Sequence, residues 1–138
     1  MKEFRFDQLS LGMEAGFEVS VTAAALDAFA ALSGDISPLH MDPAHAKALG
    51  HPDRVAHGML GAAYFSTLVG VHLPGKHALL HEVKASFHKP IYPGMKLRVQ
   101  GTVTYLNEAY KQAEIKAVIT DEQGVKLTAA LIKVGLAA

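Results

Sequence analysis

From Gly58 to Val71 the chain runs fourteen residues without a charged side chain, and no other stretch limits the fold so strongly. Apolar or small residues occupy every side of its helical projection, so the helix is expected to be buried all round. It falls short of the ~20 residues that cross a bilayer, and Gly58, Gly61 and Gly70 point to close backbone approach instead. The full segment, HGMLGAAYFSTLVGVHLPG from His57 to Gly75, is closed by Pro74 and Gly75. The rest of the chain must supply what covers it.

The residues ahead of this rod offer little covering surface. Residues 1–16 read as irregular with apolar anchors, and Phe17 to Val21 alternates well enough for a short strand. Thr22 is a candidate N-cap for a helix through Leu32, with Leu26, Phe29 and Ala30 on one face and Gly34 placed to end it. Pro38 biases Ser37 away from helical geometry, so a bend separates Asp35 from His40. A second short helix follows, capped by Asp42, with Pro43 at its first position and Gly50 just past its end. His51 to Ala56 is a loop leading into the rod.

After Gly75 the period changes from helix to strand. Val83, Ala85 and Phe87 alternate with polar neighbours, Pro93 and Gly94 make a turn, and Met95, Leu97, Val99, Val103 and Tyr105 alternate again. Ala113, Ile115, Ala117 and Ile119 continue the pattern, the DEQG turn at Asp121 to Gly124 reverses the chain, and Val125 to Val134 supplies a last strand. The reading is a four-stranded antiparallel meander, half-buried, with one strand and two short helices in front. A sheet with one apolar face wrapped around a helix with no polar face is the economical α+β arrangement, the hot-dog fold. The chain, 1–138, is expected to form one such domain.

Composition excludes several functions. Thirteen Lys plus Arg balance thirteen Asp plus Glu, so no global field attracts nucleic acid or an anionic membrane, and any anionic ligand must be held locally. The absence of cysteine removes disulfides and thiolate metal sites and fits a reducing compartment. The N-terminus, MKEFRFDQLSLG, has no basic segment followed by an apolar run, and a cytoplasmic location is expected. There is no G-x-S-x-G elbow, phosphate-binding loop or dinucleotide fingerprint. Eight histidines, four of them at His40, His45, His51 and His57, match no ligand spacing, and no metal or organic cofactor is expected.

Two features could carry chemistry. Asp35 and His40 flank the bend at Pro38, where a carboxylate and an imidazole could turn toward one water and deprotonate it; equally, Asp35 could cap a turn and His40 be an ordinary histidine. The His57–Gly58 pair opens the rod, where unpaired N–H groups carry partial positive charge that suits a developing oxyanion; glycine there also serves simply as a tight entry.

Together these residues form a longer pattern. FAALSGDISPLHMDPAHA from Phe29 to Ala46, then RVAHGMLGAAYFSTLVG and LPG at Leu73 to Gly75, resembles the signature of the MaoC-like (R)-specific enoyl-CoA hydratases. The resemblance implies a hydratase or dehydratase acting on trans-2-enoyl thioesters of coenzyme A or a carrier protein. Asp35 and His40 match the pair that holds the water adding to C3, and Gly58 the residue whose N–H binds the thioester carbonyl. Ser37, His57, Ser66 and Val69 are the implied substrate contacts, the last two on the helix face lining an acyl tunnel. A homodimer with sheets joined edge to edge, or an oligomer of such dimers, is implied as well. The family usually has asparagine where this chain has Ser37, a shorter group with one donor. A thioesterase of the same fold is the nearest rival, yet such enzymes commonly place a carboxylate on the central helix, and Gly58 to Val71 has none. A non-catalytic thioester-binding subunit would lack the Asp and His pair.

Overall fold

Period-two alternation in the second half of the chain becomes four strands, and a fifth comes from the N-terminal part. In chain order the computed structural model, which describes residues 1–138, contains β1 (Glu14–Ser20), α1 (Ala23–Ser33), α2 (Pro38–Met41), α3 (Pro43–Ala48) and α4 (Gly58–Thr67). Then follow β2 (Ala78–Phe87), β3 (Lys96–Asn107), β4 (Gln112–Thr120) and β5 (Lys126–Leu136). They build one antiparallel sheet in the order β1-β3-β4-β5-β2. Leu97, Val99, Val103, Ile115, Ile119, Ile132 and Val134 project from its inner face into the core, which also contains Phe65 and Leu68. Phe65 has no exposed surface, and truncating such a side chain to alanine typically costs about 3–5 kcal/mol.

Several expectations need correction. The meander holds for β3, β4 and β5 only: β2 lies at the far edge, with Val83 opposite Ile132, and does not pair with β3. Alternation reveals which face a side chain takes but not which strand lies beside it. The N-terminal strand starts at Glu14 rather than Phe17 and pairs with β3, Phe17 opposite Val99. Residues Phe6–Gln8 form a 3-10 turn inside the segment read as irregular, and α2 is a one-turn helix where only a bend was expected. β2 is exposed along nearly its whole length rather than half-buried.

The rod itself is helical from Gly58 to Thr67 and continues as a π turn over Leu68–His72. It is not buried all round. Leu60, Gly61, Phe65, Leu68 and Val69 face the sheet, whereas Met59 (63 % exposed), Ala63 and Ser66 form an outward stripe. The reason is geometric: one sheet covers one side of a helix, and this chain supplies no second layer. Close approach is real on the covered side. A Cβ on Gly101 in β3 would stand 2.8 Å from Leu68 Cδ2, so a side chain there would have to displace the leucine of the π turn that crosses the strand.

Candidate active site

The connector between α1 and α2 is shaped by short local bonds. Thr22 caps α1 by accepting the Ala25 N–H at 3.1 Å, and Gly34 ends it in the left-handed region at φ +81°. Ser33 Oγ donates to the Phe29 carbonyl (2.7 Å) and accepts the Asp35 N–H (3.2 Å). Asp35 Oδ1 then accepts the Ser37 N–H at 3.2 Å, so one carboxylate oxygen is fixed and the other, Oδ2, is left to face outward. Pro38 at the first position of α2, with the Ser37 carbonyl accepting the His40 N–H at 3.0 Å, returns the chain within one turn.

His40 is held from the opposite side. Its Nδ1–H donates to the Val55 carbonyl at 2.7 Å, while the Val55 N–H donates to the Leu39 carbonyl at 3.1 Å. Because a carbonyl can only accept, the neutral imidazole carries its proton on Nδ1 and presents a lone pair at Nε2. That Nε2 stands 3.7 Å from Asp35 Oδ2, too far for a direct hydrogen bond and short enough for both atoms to bond one water oxygen.

His57 supports both groups. It is 2 % exposed; its Nε2–H donates to the Asp35 carbonyl at 2.9 Å, and its ring stacks on His40 with centroids 4.1 Å apart and a 25° interplanar angle. Phe29 packs against its other side at 4.9 Å. His57 Nδ1 is buried without a partner, so neither nitrogen is presented to a ligand. His57, expected as a substrate contact, borders both cavities with its ring while its Nε2–H holds the connector.

Gly58 follows as the first residue of α4. The Leu60 and Gly61 N–H groups reach back to the His57 carbonyl, and the Gly58 N–H has no acceptor. Two cavities meet here. One of about 310 Å³ is lined by His40, His57, Gly58, Phe87, His88 and Ile91 among others. The other, of about 270 Å³, is lined by Phe29, Ser33, Asp35, His57, Gly58, Met59 and Phe87. Phe87 stands over the glycine, its ring 3.2 Å from where a Cβ would be. Together these groups offer an acid-base pair, room for a water and an unpaired amide along one depression.

The remaining sequence candidates lie elsewhere or act differently. Ser37 contributes its backbone, its N–H to Asp35 Oδ1 and its carbonyl to the His40 N–H, and its hydroxyl makes no hydrogen bond. Ser66 is exposed on the outward stripe of α4, about 12 Å along the axis from Gly58, and Val69 is a core residue at 3 % exposure lining neither cavity. One residue was missed. Arg54, its side chain 11 % exposed, donates from Nε to the His40 carbonyl (2.6 Å) and from a terminal nitrogen to Asp27 Oδ1 on α1 (2.6 Å). No local signal marked it, because its partners lie 14 and 27 residues away. Asp35, His40 and His57 can each bring one ligand atom within 4.8 Å of the others, a donor set for a divalent cation. His57 serves it poorly, with one nitrogen holding a carbonyl and the other sealed.

Comparison with known proteins gives this arrangement relatives. Residues 8–126 match the family model described as the MaoC like domain. The chain is 40 % identical over 100 residues to an (R)-specific enoyl-CoA hydratase of Aeromonas caviae, covering 72 % of this chain and 75 % of that protein. Its structure is similar to that of the (R)-hydratase from A. caviae involved in PHA biosynthesis (TM-score 0.89, 35 % identity, 93 % and 97 % covered). It is also similar to an unliganded R-hydratase from Pseudomonas aeruginosa (TM-score 0.92, 25 % identity, 97 % and 86 % covered).

Proposed function

This chain belongs to the MaoC-like dehydratase family, and on that premise we propose that it adds water to trans-2-enoyl thioesters, giving (R)-3-hydroxyacyl thioesters, or runs the reverse dehydration. The observation that carries the reading is the commitment of His40 Nδ1–H to the Val55 carbonyl, which leaves Nε2 free 3.7 Å from Asp35 Oδ2 beside the unpaired Gly58 N–H. A water held between Nε2 and Oδ2 loses a proton to His40 as its oxygen bonds to C3. The C2=C3 electron pair moves toward the thioester oxygen, where the Gly58 N–H receives the negative charge. Return of the proton from His40 to C2 completes the addition without any outside reagent. Such an oxyanion donor is typically worth about 3 kcal/mol and general base catalysis about 10²–10⁴-fold.

We assign Asp35, His40 and Gly58 the catalytic roles and the cavity beneath Phe87 the thioester. A homodimer is part of the same reading: Leu79, Leu80, Val83 and Phe87 are exposed along β2, whose outer edge is unpaired, beside the outward stripe of α4. A second copy covering that face would also bring Ser66 into a closed surface, which is how an acyl-chain role for Ser66 is retained. We place the protein in the cytoplasm; no helix is long and apolar enough to cross a membrane. The deciding experiment offers crotonyl-CoA and follows both the loss of enoyl absorbance and the release of free thiol. Hydration without thiol is expected; thiol release without hydration reassigns the chain to the thioesterases.

A further inference from the structure

We propose that the phosphate-bearing nucleotide end of a coenzyme A thioester lies in the cleft on the outer face of the sheet, held by Lys84, Lys116 and Lys126. The inference rests on the enoyl-thioester reading and names the thioester it favours. A chain with zero net charge must hold an anion by local concentration of charge. Two adjoining cavities provide it. One of about 580 Å³ lies on the outer face and takes Lys84, Lys116 and Lys126 into its walls; the cavity of about 310 Å³ at Gly58 includes Lys89. His88 lines both, and neither has a carboxylate in its lining. Elsewhere five cations are held in ion pairs, Arg54 with Asp27, Lys76 with Glu3, Lys96 with Glu18, Lys111 with Glu108 and Lys133 with Glu82, and the other four, Lys2, Arg5, Lys47 and Arg98, line neither cavity. None of the four lysines at the two cavities is in such a pair.

The spacing suits a nucleotide with several phosphates. Lys84 in β2 and Lys116 in β4 are both in register with Leu131 of β5, so their α-carbons flank that strand about 10 Å apart. Leu131, 55 % exposed, and Ala129 give the floor between them an apolar surface on which a base can rest. The two cavities meet at His88, where β2 ends. His88 and Lys89 both donate N–H to the Leu127 carbonyl, at 2.8 and 3.1 Å, which fixes the end of β2 next to Lys126. Lys84 lies three residues from Phe87, about 10 Å along the strand and on the opposite face of the sheet, so an arm that starts at Gly58 beneath Phe87 must turn round the end of β2 at His88. A phosphopantetheine arm, with two amide units, spans about as much as five extended residues, ~17 Å. That covers the path past His88 to the lysines. A carrier protein brings one phosphate on its arm, whereas coenzyme A brings three, and three unpaired lysines match the latter.

The test compares crotonyl-CoA with crotonyl-pantetheine, which keeps the thioester and lacks every phosphate. In the Lys84→Glu, Lys116→Glu, Lys126→Glu triple variant, KM for crotonyl-CoA should rise about tenfold or more with kcat unchanged, and both constants for crotonyl-pantetheine should stay put. An unmoved KM for crotonyl-CoA, or an equal change with both substrates, overturns the proposal. So does a larger response with a crotonyl carrier-protein substrate than with crotonyl-CoA, which hands the surface to an acidic protein. Adenosine 3′,5′-bisphosphate, titrated calorimetrically, provides an arm independent of turnover. Binding to the wild type and loss in the triple variant supports the cleft even if no thioester is hydrated, in which case the reaction assignment alone has failed. Absence of binding together with an unmoved KM sinks the cleft while leaving hydration intact.

Discussion

At the start of α4 almost every polar group is spoken for within the chain: Asp35 by Ser37 and His57, His40 by Val55 and Arg54, Arg54 by Asp27. A few residues further on, the outward stripe of Met59, Ala63 and Ser66 and the neighbouring strand β2 show the opposite condition, apolar side chains exposed and a strand edge unpaired. The first region is complete in one copy, because directional bonds of short reach were available from adjacent loops. The second has a surface but no partner. The contrast teaches that short directional bonds let one chain position the polar groups of the connector by itself, whereas one sheet leaves the outward side of α4 uncovered.

The sharpest way to break the comparison is to remove the pair itself. Asp35→Asn, which keeps the Oδ1 that accepts the Ser37 N–H, should lower kcat for enoyl hydration by about 10³-fold while leaving the melting temperature nearly unchanged, read by steady-state kinetics beside calorimetry. A parallel fall in both quantities would show that the site is structural. Gly58→Ala comes next, expected at about 10²-fold in kcat/KM because the new methyl meets Phe87 at 3.2 Å in the path to the amide. Phe87 is half exposed and can yield, so thermal stability should barely move.

Arg54→Met tests the self-sufficient region through stability. It leaves the His40 carbonyl without its donor, and about 2 kcal/mol of unfolding free energy should be lost, most of it from that carbonyl because Asp27 is well exposed. Denaturation midpoints read this directly; no loss would mean that the clamp is decorative. On the other side, if the proposed dimer forms through β2, Leu79→Lys with Val83→Lys should yield a folded monomer in sedimentation where the wild type sediments as a dimer. A dimer that survives both charges would put the contact elsewhere. The smallest effect concerns Tyr64. Burial pushes its hydroxyl above the usual tyrosine value, so the unfolded chain gives up that proton first and stability should decline as pH rises past about 10, by less than 1 kcal/mol. In Tyr64→Phe that decline should be smaller.

Much of this was legible in the residues. The rod, its glycines and the capped helices before it followed from local rules, as did the inward face of each long strand, because period and capping are properties of neighbouring residues. Pairing was not: nothing in Val83 or Phe87 says that β2 crosses to the far edge beside β5. The all-round burial expected of α4 also failed, since an uncharged helix reads the same whether its second side is covered by its own chain or faces outward. At the site, Asp35, His40 and Gly58 were visible as a pattern, whereas Arg54 and the supporting role of His57 depend on contacts across 14 to 27 residues that no spacing announces.

The bond from His40 Nδ1 to the carbonyl of residue 55 has a consequence for how such a protein can change over generations. The tautomer is dictated by the polypeptide rather than by a neighbouring side chain, so the amino acid at 55 is free to drift among residues that keep the same main-chain path. Inheritance of the proton's position is thereby tied to the shape of a loop, and a lineage could rewrite the lining of this pocket for new acyl groups without relearning how its histidine holds a hydrogen.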